Sequence, residues 1–193
     1  MNRATLTVLT LYGLAGFWFP AMAEDDAARR TADARAVVQA FASELQNALK
    51  GAMASGGPVE AISVCNEVAP AIAARHSSEK GWDVGRTSLK YRNPANAPDD
   101  WEAAVLKDFE QRKATGEDVK TMEYGEFVQL NGRKVFRYMK AIPTGELCLN
   151  CHGGDTVKPE VAARIAEYYP NDKARGYSAG DIRGAFTITE PVE

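Results

Sequence analysis

The chain has 193 residues, of which 45% are hydrophobic and 25% charged, which is the make-up of a globular protein with one core and argues against disorder or a second independent domain. Its formal net charge is -3, and no Lys/Arg run is long enough to follow a phosphate backbone, which excludes nucleic acid as the expected partner.

Met1-Asn2-Arg3 is a short basic start, followed by an apolar run from Ala4 to Phe19, the helix breaker Pro20 and then Ala21-Met22-Ala23. This is the pattern of a secretory signal peptide over residues 1–23, cleaved after an A-x-A site. An uncleaved anchor is the rival reading, but the run is short for a membrane span and holds Thr and Gly. The expectation is a periplasmic protein, residues 24–193, with no membrane span after cleavage. Its three cysteines, an odd number, then sit in an oxidising compartment and require an explanation.

Ala27 to Met53 reads as one helix, with Val38, Phe41, Leu45 and Leu49 along its apolar stripe. Ser55-Gly56-Gly57 ends it, and Pro58 is placed to open a second helix in which Ile62, Cys65, Ala69 and Ile72 share a face. Pro70, lacking a backbone donor, should bend or interrupt that helix. Gly81 to Pro98 is extended and loop-like. Asp99 or Asp100 can cap a helix near Trp101 whose apolar face carries Trp101, Val105, Leu106 and Phe109.

Met122 to Ile142 predicts a hairpin around Asn131-Gly132, a pair suited to a two-residue type I′ turn. That turn sets Phe127 opposite Phe136, Glu126 opposite Arg137, and Tyr138 opposite Gly125. A helix from Pro159 to Tyr168 and a strand from Ile182 to Thr189, with Ile182, Phe186 and Ile188 on one face, complete the chain. The order of elements predicts an α+β fold, with helices against a small antiparallel sheet.

Between hairpin and last helix lies Cys148-Leu149-Asn150-Cys151-His152. Two thiols three residues apart project from one helical turn and can add across the vinyl groups of a haem, while the adjacent imidazole reaches the iron from the same side. The motif therefore predicts one covalently attached haem c at Cys148 and Cys151, with His152 as an iron ligand. A zinc site of Cys65, Cys148, Cys151 and a histidine is one rival, weakened because Cys151 and His152 are sequence neighbours. A redox dithiol lacks its βαβ context, and a structural disulfide leaves His152 without a role.

Cys65, His76, Met53, Met122 and Met139 are candidates for the ligand opposite His152. His76 lies in a polar stretch, where a solvated histidine is the plain expectation, and on an unbroken helix it would sit about 16 Å along the axis from Cys65. Met139 shares a hairpin face with Tyr124, and Met53 ends a helical stripe; packing explains both. Residues alone leave Cys65 open between a ligand and a buried inert thiol. Arg86 and Arg92 could pair with haem propionates or be ordinary solvated or ion-paired arginines.

Four segments carry a resemblance: Ala61 to Asn66 (AISVCN), Arg86 to Pro94 (RTSLKYRNP), the Cys148 motif, and Gly176 to Ala185 (GYSAGDIRGA). With these the chain resembles the family of exported single-haem c-type domains with a PAS-like fold, found alone in bacteria and as the extracytoplasmic part of signalling receptors. The resemblance covers the whole mature chain. It implies a PAS-like core and Cys65 as the axial ligand opposite His152, in a stand-alone form without kinase or cyclase segment. An anionic thiolate favours ferric iron and lowers the potential. The expected role is low-potential electron transfer with an exported redox protein partner. The alternative is a redox or gas sensor in which a diatomic ligand such as CO or NO displaces Cys65. No paired carboxylates or nucleophile–base pair suggests an enzyme.

Overall fold

The computed structural model describes residues 19–192, so most of the predicted signal peptide lies outside the described residues. Helix α1 (Phe19–Ser63) opens with Pro20 in its first turn, where a missing N–H is harmless. It is broken at Gly57, whose φ of 70° lies in the left-handed region, and Pro58 restarts it, as predicted. Its stripe of Ala34, Val37, Val38 and Phe41 is buried in the core.

The expected disturbance at Pro70 takes a specific form. Residues Val64–Val68 make one π-helical turn, closed by the Ala69 N–H donating to Val64 O five residues back. Proline cannot donate to the carbonyl of Asn66 and its ring crowds that carbonyl, so the helix accommodates one surplus residue there. Cys65 is the second residue of this turn. Helix α2 (Ala69–Lys80) follows, and left-handed Gly81 caps it by donating to Ser77 O at 2.9 Å.

Strand β1 (Asp83–Thr87) lies within the stretch expected only to be extended. Helix α3 (Asp100–Ala114) begins with a capping box: Asp99 Oδ1 accepts from Glu102 N–H at 2.8 Å, and Glu102 Oε2 accepts from Asp99 N–H at 3.1 Å. Strands β2 (Glu123–Leu130) and β3 (Arg133–Pro143) form the hairpin. Asn131 and Gly132 have φ of 51° and 76°, and all three predicted pairings hold. The charges of one pair nevertheless look elsewhere. Arg137 reaches Asp99 at 2.8 Å and Glu102 at 3.4 Å, while Glu126 accepts from the Trp101 indole N–H at 2.8 Å. The hairpin is thereby tied to α3.

After helices α4 (Glu146–His152) and α5 (Pro159–Tyr168), strand β4 (Ile182–Pro191) enters the middle of the sheet. The order is β1-β4-β3-β2, with every neighbour antiparallel. This is the α+β arrangement expected: a small antiparallel sheet flanked by helices, with a long N-terminal helix. One face packs Phe136, Tyr138, Phe186 and Ile188 against Phe41 and Ile72 of α1 and α2. The other packs Met122, Met139, Ala141 and Ala185 against Val105, Leu106 and Phe109 of α3. Each large apolar side chain sealed this way contributes about 1.5–3 kcal/mol.

Ile182 departs from expectation. It sits on the α3 face, opposite to Phe186 and Ile188, because a bulge interrupts the β3–β4 ladder: Ile142 pairs with Gly184 but Pro143 pairs with Ile182. Arg183 is the extra residue, and Gly184 takes φ of 155° beside it. Among the described residues no helix is long and apolar enough to cross a membrane.

Candidate functional site

A cavity of about 440 Å³ opens between α1, the edge of the sheet and α4, within the roughly 300–1,000 Å³ that ligand pockets occupy. Its wall brings together Cys65, Cys148, Cys151 and His152, which are up to 87 positions apart in sequence. Leu45, Leu49, Ile62, Ile142, Leu147 and Phe186 supply apolar surface. Met53 also lines the cavity, whereas Met122 and Met139 are buried under α3 on the other side of the sheet.

His76 is likewise outside the cavity wall. Far from being solvated, it is buried, its ring stacked on Phe41 at 6.0 Å between centroids and its Nε2 3.2 Å from Glu44 Oε1. Its polar neighbours in sequence suggested solvent, but its partners Phe41 and Glu44 come from α1, across the helix pair.

The Cys-x-x-Cys-His segment forms α4, only seven residues long. A helix this short leaves most of its backbone acceptors without partners of its own, and these find them nearby. Leu149 O accepts from Gly153 N–H at 3.1 Å, Cys151 O from Arg92 Nη2 at 2.6 Å, and His152 O from Tyr177 N–H at 3.0 Å. Gly176 N–H donates to Gly153 O at 3.1 Å. The loop after α5 thus clasps the end of the motif.

His152 is set deep in the chain yet keeps part of its ring bordering the cavity. Its Nδ1 lies 2.9 Å from Ala174 O, so Nδ1 carries the proton and donates, leaving the lone pair on Nε2. Burial, with the charges of Arg183, Arg92 and Arg86, pushes the imidazole well below its ordinary value and keeps it neutral. A neutral ring with one nitrogen anchored on a carbonyl is the form in which histidine binds metals. Burial also pushes the Cys151 thiol up, and Tyr169 in the same wall is pushed up to about 12 by burial first and Cys65 second.

Arg92 is committed elsewhere. It is buried and paired with Asp172 through Nε to Oδ1 at 3.0 Å and Nη2 to Oδ2 at 3.2 Å, while it also donates to Cys151 O and Ala174 O. It is a brace for α4, not a free cation. Asp172 in turn accepts from the N–H of Ala174 at 2.9 Å, fixing the residue whose carbonyl holds His152. Sequence reasoning missed Asp172, Ala174 and Arg183. Asp172 lies 80 positions from Arg92 with no local signal. Arg183 falls within the quoted Gly176–Ala185 segment, and the Arg-Gly pair at the start of a strand is the trace of its bulge.

The zinc rival finds no support in this geometry: among the described residues no three of His, Cys, Asp and Glu come close enough to share one ion. The three cysteines are all free thiols. A porphyrin fits the donor set better. Two thiols and a neutral imidazole stand on one wall, and Cys65 is on the same cavity. The wall holds five basic side chains and no carboxylate of its own, which suits an anionic macrocycle even though Arg92 and Lys140 have carboxylates behind the wall.

Fold and site together define a small α+β domain whose antiparallel sheet and long first helix enclose a Cys-x-x-Cys-His turn. A family model described as Tll0287-like matches residues 21–191, and the chain belongs to that family. It is similar to a solved structure described as the cyanobacterial heme-protein Tll0287, with a TM-score of 0.67 and 22% identity over 86% of this chain and 96% of that one. No curated protein matches the chain.

Proposed function

We propose that the chain is an exported, periplasmic monohaem c-type cytochrome, with haem joined to Cys148 and Cys151 and the iron held by His152 and Cys65. The observation that carries this reading is the His152 ring, fixed by Ala174 O through Nδ1 and presenting a lone-pair Nε2 beside the two motif thiols. The description of its structural relative as a heme-protein supports it. Bound haem supplies one-electron exchange at its iron. The chain's own residues do the rest: Cys148 and Cys151 would tether the haem, His152 and Cys65 would hold its iron, and the apolar wall from Leu45 to Phe186 limits water. Were His152 and Cys65 both to hold the iron, electron transfer to another exported redox protein would be favoured over catalysis.

The π-helical turn carrying Cys65 favours a second reading, a redox or gas sensor. Such turns recur at functional sites, and returning one to α geometry swings the following helix relative to the preceding one. Loss of Cys65 from the iron would then be felt by α2.

Intact mass of the purified native protein tests the first step: one added haem and an N-terminus at Glu24 are expected, and an unmodified polypeptide overturns it. For the ligand, Cys65→Ala should change the ferric absorption spectrum; an unchanged spectrum removes the thiolate. Exposure of the reduced protein to CO separates the roles, because a carrier leaves its spectrum unaltered and a sensor does not.

A further inference from the structure

The basic residues of the cavity wall are not equivalent. Arg92 is balanced by Asp172 at 3.0 Å, Lys140 lies 3.8 Å from Glu123, and Lys120 is exposed at the mouth. Arg86 and Arg183 are different. Both are deeply set, and neither has a carboxylate partner among the described residues.

Arg86 projects from β1, its guanidinium carbon 5.8 Å from the Phe41 ring centroid. Arg183 projects from the bulge of the adjoining strand β4, its guanidinium carbon 5.4 Å from the Tyr177 ring. It finds only neutral acceptors: Ser88 Oγ at 3.1 Å, Lys90 O at 3.4 Å and His152 Nε2 at 3.4 Å. Desolvating an unbalanced guanidinium is unfavourable, and two at one cavity are a demand for two anionic groups. Arg183 has a further reason to turn. Nε2 offers one lone pair, so a metal on His152 and the Arg183 N–H compete for it, and the guanidinium must find another acceptor.

We propose that Arg86 and Arg183 each seat one carboxylate of a macrocycle bearing two of them, and that the balanced Arg92 seats none. The inference rests on the haem reading above and extends it by naming what selects and orients the cofactor. A planar guanidinium matches a carboxylate with two parallel hydrogen bonds, a geometry that lysine cannot reproduce.

The test uses the full-length chain matured with haem, as the natural sequence and as Arg86→Leu, Arg183→Leu, Arg86→Lys, Arg183→Lys and, as a remote charge control on α3, Arg112→Leu. Three quantities are read: covalent haem by intact mass, the propionate-bending band by resonance Raman, and the midpoint potential. Loss of a cation beside the carboxylates disfavours the added electron, so both Leu variants should shift the band and lower the potential. The Lys variants should shift the band while recovering most of the potential, and Arg112→Leu should move neither. The Lys variants keep charge and bulk, so they remain informative should a Leu variant fail to fold. An unmoved band in haem-loaded Arg86→Lys and Arg183→Lys overturns the assignment. A changed thiolate spectrum with an unmoved band in the Arg86 variants overturns it for Arg86, which would then be the counter-charge of Cys65. Absence of haem from the natural sequence is a separate result and overturns the haem reading itself.

Discussion

Replacing Asp172 with alanine should be among the most damaging single changes outside the apolar core. Its carboxylate accepts from Arg92 Nε at 3.0 Å and Nη2 at 3.2 Å, from Arg175 Nε at 3.0 Å, and from Ala174 N–H at 2.9 Å. The Arg92 and Asp172 side chains are only 6% and 5% exposed, so the variant strands a buried guanidinium that water cannot rescue. Breaking a buried pair from one side costs about 3–5 kcal/mol. Arg92 keeps its bonds to Cys151 O and Ala174 O, which places the loss toward the lower end, about 3 kcal/mol. In a protein of this size each kcal/mol moves the melting temperature by about 2–4 °C, so a fall of roughly 6–12 °C is expected. Urea and thermal unfolding followed by circular dichroism measure it. A loss below about 1 kcal/mol would refute the reasoning, because that is the worth of a pair bathed in solvent.

Acid should act through the same group. Burial works to raise the Asp172 carboxyl, but the bonds and charge of Arg92, with the Ala174 and Arg175 donors, outweigh it and hold it below its ordinary 3.8. Arg35 holds Glu123 below 4.5 and Lys113 holds Asp181 below 3.8 in the same direction. Each contribution is complete above the unfolded value and lost as pH falls through the lower folded one, so the urea midpoint should fall steeply below about pH 4, less so in Asp172→Asn. Gly184→Ala should cost roughly 2–5 kcal/mol, since a Cβ there meets Thr87 O at 2.3 Å in a backbone conformation with φ of 155°; melting no lower than the natural protein would contradict the bulge. His76→Phe should lower stability by about 1–2 kcal/mol through loss of the Glu44 contact and leave the ferric spectrum as it was, whereas a spectral change would make His76 a ligand after all.

What the sequence made legible was local. Asn131-Gly132 dictated a register that held residue for residue, Gly57-Pro58 marked the helix break, and Asp99 marked a helix start with its own partner three positions on. The Cys148 motif and Cys65 reached one cavity. The failures were long-range. Nothing near Arg92 announces Asp172, and His76 looked solvated because its polar neighbours in sequence are its screen, while Phe41 and Glu44 arrive from another helix. Ile182 was assigned to the wrong face because alternation assumes an unbroken ladder, and one added residue at Arg183 inverts everything before it.

The place of β4 in the sheet governs how the molecule can come into being. It is flanked by β1 and β3, yet it comprises residues Ile182–Pro191. β1 therefore has no hydrogen-bonding neighbour until translation has passed residue 180, and the hairpin waits with an open edge. A nascent chain closes its sheet only once β4 has been made. For the same reason, clipping ten residues before Val192 would remove the keystone rather than the fringe.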